Sequence, residues 1–194
     1  MGKRVCLGLC MAFAVAFIFI LSGRSLAAEF SADLLLKQAR ETITGKVYVK
    51  GDKTRQEYLQ KEEKYVMISR FDKGIVWVLI PAEKIYMESS SREGTASDPR
   101  LDQKIKDTAV KKYLGKEEVN GYMCEKYQYI YNDKSMGSVT QWFSQKLSYP
   151  IKSEYNAPSG YTLIEYKNII EGKVADSLFE IPGDYAKMSV PGWR

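Results

Sequence analysis

The sequence contains no histidine among its 194 residues. Histidine is the usual acid–base group near neutral pH and the commonest metal ligand. Its absence excludes Ser-His-Asp and Cys-His catalytic arrangements, and zinc sites built on histidine. Adjacent carboxylates at Glu62-Glu63 and Glu117-Glu118 do not replace it, because neighbours on a strand point to opposite faces. With no phosphate-binding glycine motif and no cluster of metal ligands, we expect no catalytic residues, no metal and no cofactor, and we expect that the protein is not an enzyme.

Cysteine is scarce as well, with three residues in the chain. Cys6 and Cys10 lie in an apolar N-terminal run, which leaves Cys124 alone in the remainder. We expect no disulfide within the folded domain and a buried, inert thiol at Cys124, which has no obvious activating base nearby. Stability must then come from apolar burial, which 45% hydrophobic and 12% aromatic residues can supply.

The N-terminus has the pattern of a secretory signal peptide. Lys3 and Arg4 precede an uncharged run of 17 residues, Val5 to Leu21, and small residues follow up to Ala27. We predict a signal peptide over residues 1–27 and export to the periplasm. The alternative is an uncleaved anchor in the inner membrane, for which 17 apolar residues are borderline because a spanning helix needs about 20.

The predicted mature chain, residues 28–194, has the length of a single domain with a sizeable core. Removal of Lys3, Arg4 and Arg24 lowers the formal charge from +5 to +2. The basic pI therefore comes largely from the leader, and it does not indicate nucleic-acid binding.

Alternating apolar and polar residues, separated by turn residues, predict short antiparallel strands through most of the chain. Asn120-Gly121 between two such runs is a strong hairpin signal. Residues 75–80 are apolar at all six positions, so neither face of that strand is expected to meet water. Helical spacing predicts two helices, Phe30 to Ile43 and Leu101 to Leu114. The fold class predicted is α+β and mainly β: a strongly curved antiparallel sheet, or half-barrel, of about nine strands covered by the two helices.

Many of the 14 tyrosines and three tryptophans fall on predicted strands. Such aromatic residues would line a pocket for an apolar ligand. Ordinary sheet packing is the interpretation we favour from the sequence alone, because aromatic residues favour strands.

Three local patterns resemble the LolA-like periplasmic lipoprotein-carrier superfamily. Asp72-x-x-x-x-Trp77-x-x-x-Pro81 resembles its turn, tryptophan strand and proline. Gly115-x-Glu117-x-Val119-x-Gly121, followed by Lys126-Tyr127, resembles the hairpin of an uncharacterised branch labelled outer-membrane lipoprotein-sorting protein. Phe179-x-Ile181-Pro182 resembles the C-terminal ending of that branch.

The resemblance implies a curved sheet under helices, with an apolar cavity between them that takes acyl chains. The two predicted helices would be the lid, with Leu35, Ala39, Ile105 and Ala109 on the cavity side. The candidate cavity residues are aromatic or apolar residues on predicted strands: Tyr65, Met67, Trp77, Leu79, Tyr86, Tyr127, Tyr129 and Trp142.

One departure from the family concerns its lid latch, an arginine just ahead of the third strand. The matching stretch here is Lys61-Glu-Glu-Lys64, which has no arginine. The function we expect is a periplasmic carrier of a lipid or acylated ligand such as a lipoprotein, working as a monomer, with an envelope membrane protein as a further partner. The alternative is an envelope sensor or protein-interaction module of the same fold without lipid cargo.

Overall fold

A computed structural model describes residues 28–38, 41–60, 62–90 and 108–188. These residues form twelve strands and two short 3-10 helices. The strands are β1 Glu29–Gln38, β2 Glu41–Lys50, β3 Lys53–Gln60, β4 Glu63–Arg70, β5 Ile75–Ile80, β6 Ile85–Ser90, β7 Ala109–Val119, β8 Tyr122–Tyr131, β9 Ser138–Ser144, β10 Tyr149–Ala157, β11 Gly160–Glu171 and β12 Ala186–Lys187; the 3-10 helices span Lys134–Met136 and Asp176–Phe179. No helix within these ranges is long and apolar enough to cross a membrane.

The strands form one curved, open sheet in the order β12-β6-β5-β4-β3-β2-β1-β11-β10-β9-β8-β7. All neighbours pair antiparallel except β12 and β6, which pair in parallel. The predicted hairpin is confirmed: Asn120 and Gly121 connect β7 to β8 with φ angles of 51° and 83°. Both central residues of a tight hairpin turn need such positive φ, which explains why Asn-Gly is found there.

The predicted helix Phe30 to Ile43 is wrong, because its described residues form β1 and β2. Phe30, Ala32 and Leu34 are buried while the residues between them are not, which is the period-two pattern of a strand. β1 pairs with β2 on one side and β11 on the other, so long-range pairing overrides the helical spacing. Leu35 therefore lies on a strand and not on a lid helix, and Ala39 lies outside the described residues.

The second predicted helix, Leu101 to Leu114, is also not supported. Residues 101–107 lie outside the described residues, Ile105 among them, and Ala109 begins strand β7. The curved, mainly β sheet is confirmed, but it has twelve strands where about nine were expected, and the described residues form no covering helix.

Side chains of the sheet point to two faces that differ in burial. Cross-strand pairing places Ala32, Val47, Gln56 and Met67 on one face, which we call the inner face. Inner-face residues of the central strands are almost completely buried, with exposed fractions of 3% or less: Phe30, Ala32, Leu34, Val47 and Val49. Thr44 and Lys46, on the opposite or outer face of β2, are exposed.

Contacts across intervening strands identify the inner face as the concave one. Gln56 on β3 donates from Nε2 to the Tyr166 hydroxyl on β11 at 3.2 Å, although β2 and β1 lie between these strands. Strands are spaced about 4.8 Å apart, so the two backbones are about 14 Å apart on a flat sheet. We expect side chains to meet over this span on the face toward which the sheet curves, which is the concave face.

The chain after β11 folds back over the outer face of β4 and β5. Phe179 is fully buried, and it belongs to one apolar cluster with Val66, Ile68, Trp77 and Leu79. We call residues 174–188 the C-terminal segment. Its packing gives the outer face of these strands a second layer.

Ion pairs tie the C-terminal segment to the sheet. Asp176 accepts from Lys50 Nζ at 2.8 Å and Lys53 Nζ at 2.9 Å. Arg70, almost buried, binds Asp72 at 2.8 Å and Glu180 at 2.5 Å. Its guanidinium also donates to the Phe179 carbonyl, so burial of that ring and the charge contacts fix the same stretch of chain.

Candidate ligand-binding surface

The eight candidate cavity residues lie on both faces of the sheet. Cross-strand pairs share a face, so the register assigns each one. Four lie on the concave inner face: Tyr65, Met67, Tyr127 and Tyr129. The other four lie on the outer face: Trp77, Leu79, Tyr86 and Trp142. Only the first group can meet a ligand held in the concavity.

Trp77, Leu79 and Tyr86 form part of the packed layer under the C-terminal segment. The Trp77 indole nitrogen donates to Glu88 at 2.8 Å, and Glu88 in turn pairs with Lys187 at 2.7 Å. These two contacts lower the pKa of Glu88. Strand β5, which carries Trp77, therefore helps to hold the C-terminal segment on the sheet.

Trp142 is buried on the outer face beneath two lysines. The ammonium groups of Lys126 and Lys152 lie 4.6 Å and 4.1 Å from its ring centroids, within cation–π range. The indole nitrogen has no hydrogen bond of ordinary geometry within the described residues. Its N–H is nevertheless close enough to Glu117 to lower the pKa of that carboxyl, together with Lys126.

The inner face of β4, β5 and β6 is apolar and only half-buried. On this face, cross-strand pairing joins Gln56 on β3 to Met67, Met67 to Val78, and Val78 to Met87. The inner-face residues on either side of Val78 along β5 are aliphatic as well. We call this surface the apolar wall: Met67, Val76, Val78, Ile80, Ile85 and Met87, all intermediate in exposure.

Strand β5 explains how the apolar wall arises. Its outward residues, Trp77 and Leu79, are buried, and its inward residues, Val76, Val78 and Ile80, are half-buried. The uninterrupted apolar run thus contributes to two surfaces, although its inward residues are half-exposed and not shielded from water on both faces as expected. One is the layer under the C-terminal segment, and the other is the wall of the concavity.

The inner face of the opposite half of the sheet is rich in tyrosine. Tyr129 and Tyr155 occupy one cross-strand row with Val139 between them. Tyr131 packs in the same cluster, and Tyr127 lies against it. We call Tyr127, Tyr129, Tyr131 and Tyr155 the tyrosine wall.

Burial keeps the hydroxyls of this region protonated. Burial raises the pKa of Tyr166 to about 12. Burial also raises the pKa of Tyr155, and the neighbouring hydroxyls of Tyr131 and Tyr166 raise it further. The pKa of Tyr58 on β3 is raised by burial and by Tyr166. Hydroxyls from β3, β8, β10 and β11 therefore converge in the concavity as neutral donors.

The Cys, Asp and Glu side chains of the described residues form no group able to hold a metal ion. Cys124 is fully buried, and burial raises the pKa of its thiol to about 11, which disfavours the reactive thiolate. Glu117 and Glu118 pair with Cys124 and Met123 respectively, so they point to opposite faces as predicted.

The sequence candidates omitted several inner-face residues. Val78 and Met87 belong to the apolar wall, and Tyr131 and Tyr155 to the tyrosine wall. The alternation of each strand indicated which residues share a face, but not which face is concave. The pairing of β8 places Tyr127, Tyr129 and Tyr131 on one face of this strand. In the stretch matching the family's lid latch, Lys64 pairs with Glu57 at 2.7 Å on the outer face, and Lys61 lies outside the described residues.

Comparison with solved structures places this fold among known ones. An uncharacterized conserved protein from Thermus thermophilus matches with 10% identity and a TM-score of 0.59, over 84% of this chain and 91% of that chain. The structure of the Pseudomonas aeruginosa MucA/MucB complex matches with 12% identity and a TM-score of 0.54, over 86% of this chain and 60% of that chain. A LolA superfamily protein from Nitrosomonas europaea, NE2245, matches with 13% identity and a TM-score of 0.40, over 79% of this chain and 90% of that chain.

At these identities the likeness concerns the fold alone: the chain shares its fold with the Thermus thermophilus protein and with MucB. No curated protein sequence matches the chain. The family described as a domain of unknown function, DUF4412, matches residues 31–148, from the first strand to the turn before β10. This match spans more than half of the sequence, and the chain therefore belongs to the DUF4412 family.

Proposed function

We propose that the protein is a periplasmic binding protein that holds a lipid or acylated ligand against the concave face of its sheet. The observation that carries this proposal is the apolar wall. Six apolar side chains lie together on the concave side, and they remain half-exposed where the central inner-face residues are fully buried. An apolar concave surface of this kind is the usual form of a small-molecule site.

The energy of binding would come from apolar contact. Each methylene that an acyl chain buries contributes about 0.8 kcal/mol. Met67 on β4 and Met87 on β6, the two outer strands of the apolar wall, supply flexible, polarizable side chains that adapt to acyl chains of different shape. Neither a charge nor a covalent step is required, which agrees with the proposal that the protein is not an enzyme.

The predicted signal peptide over residues 1–27 would deliver the protein to the periplasm. There the protein would hold the apolar part of its ligand away from water. A lipoprotein's acyl chains and a free lipid both fit this chemistry.

Native mass spectrometry of protein recovered from the periplasm without detergent tests the proposal. We expect an added mass that is released as lipid on denaturation, and uptake of a fluorescent fatty acid by the emptied protein. Val78→Thr is nearly isosteric, and we expect it to weaken uptake several-fold because it puts a hydroxyl in the middle of the apolar wall. Leu59→Gln, on the exposed outer face, is the matched control and should bind as the wild type does. A clean protein mass together with no fatty-acid uptake would contradict the proposal.

A second candidate is a protein-interaction module. The observation that favours it is the likeness to MucB, whose solved structures include a complex with MucA. This role predicts that the periplasmic part of a membrane protein co-purifies with the chain in place of lipid. Cross-linking in intact cells followed by mass spectrometry distinguishes the two candidates.

A further inference from the structure

We propose that two tyrosine hydroxyls on the concave face, those of Tyr131 and Tyr155, bind the carbonyl oxygens of the ligand's acyl ester or amide groups. This inference rests on the proposed function, and it specifies the class of ligand. The ligand would be an amphiphile whose acyl carbonyls face the tyrosine wall while its hydrocarbon chain lies on the apolar wall.

The two walls differ in chemistry. Every member of the apolar wall is aliphatic or a thioether. The tyrosine wall carries phenol rings from β8 and β10, and Gln141 and Ser153 lie between them on the same face. A pure hydrocarbon would leave this second half of the concavity without polar partners.

Tyr131 and Tyr155 differ from Tyr58 and Tyr166, two neighbouring inner-face tyrosines, in their hydrogen bonding. The Tyr58 hydroxyl donates to Gln56, and Gln56 donates to the Tyr166 hydroxyl. Within the ranges that the structure describes, neither Tyr131 nor Tyr155 has a hydrogen-bonded hydroxyl. No group of the described residues engages these two hydroxyls, so each is free to donate to a ligand that brings an acceptor.

The position of the two hydroxyls suits an approaching ligand. Neither hydroxyl oxygen is a fully buried atom without a hydrogen-bond partner, so a small ligand group is able to reach both. Both phenols have raised pKa values, chiefly because of burial, and they stay protonated donors across the physiological range. A carbonyl oxygen has two lone pairs and is able to accept from both.

Binding of two lipids that differ only in the carbonyl tests the inference. The probes are 1-palmitoylglycerol, an ester, and 1-O-hexadecylglycerol, its ether analogue, each displacing a fluorescent fatty acid from the full-length protein. One hydrogen bond of ordinary strength gives about a 5-fold preference for the ester, and two give up to about 25-fold. We expect Tyr131→Phe and Tyr155→Phe each to reduce this preference and the double variant to abolish it, with ether binding unchanged.

Tyr58→Phe is the matched control, because its hydroxyl is already engaged with Gln56. It should keep the ester preference. Equal binding of ester and ether by the wild type would overturn the inference while leaving the proposed function intact. An ester preference that survives in the double Phe variant would also overturn it. If the wild type binds neither lipid, the proposed function itself fails.

Discussion

Replacing Phe179 by alanine should destabilise the protein strongly. The ring is fully buried between the C-terminal segment and the outer face of β4 and β5, in contact with the cluster that contains Ile68 and Trp77. Removal of a buried phenylalanine ring costs about 3–5 kcal/mol, because apolar contact is lost and a cavity remains. For a domain of this size, that corresponds to a fall in Tm of roughly 6–20 °C.

Urea unfolding followed by tryptophan fluorescence measures this change, since Trp77 reports on the layer beneath the ring. Ile170→Ala provides the control: Ile170 is 69% exposed, and its replacement should change the free energy of unfolding by less than about 0.5 kcal/mol. If Phe179→Ala proved as stable as the control, the C-terminal segment would not pack on the sheet as described.

Two further predictions concern charge and backbone packing. Asp176, which pairs with two lysines, has its pKa lowered from 3.8 to about 2. It therefore stabilises the fold above the unfolded pKa and loses this effect as pH falls from about 4 toward 2, so the stability gap between wild type and Asp176→Asn should shrink over that range; a gap independent of pH would contradict the ion pairs. At Gly45, an added Cβ would lie 1.8 Å from a carbonyl oxygen of β3, so Gly45→Ala should cost about 1–3 kcal/mol in chemical denaturation. Gly183→Ala, with open space around its Cβ position, should be close to neutral, and equal effects of the two changes would refute the packing argument.

The parts of the fold that local signals determine were predictable from the sequence. The Asn120-Gly121 turn, with its two positive φ angles, lies where the dipeptide indicated. Strand β5, Ile75–Ile80, coincides with the run of six apolar residues that the sequence shows, because turn residues flank that run. Such features depend only on neighbouring residues.

The N-terminal strand was not predictable in the same way. Leu34, Leu35 and Ile43 fit helical spacing, but Phe30, Ala32 and Leu34 also fit strand alternation. The choice is made by β2 and β11, which hydrogen-bond to both edges of β1. The second of these partners is distant in the sequence, since Leu34 pairs with Tyr166, so no local pattern records the pairing.

For the candidate site, the sequence predicts which residues share a face of a strand, but it does not predict which face is concave. Alternation correctly separates Met67 and Val78 from Trp77 and Leu79, since pairing places them on opposite faces. Curvature decides which face encloses a ligand, and it depends on contacts such as Gln56 with Tyr166 across two intervening strands. The family resemblance implies a cavity position for Trp77, whereas the structure places it under the C-terminal segment.

Photo-cross-linking with a diazirine-bearing fatty acid tests the central claim most directly, because it locates the ligand on the protein. Peptide mapping should find the label on the apolar wall, in the peptides that contain Met67 and Met87, and excess palmitate should compete it away. Label on the outer face alone, or label that competitor does not displace, would contradict binding in the concavity.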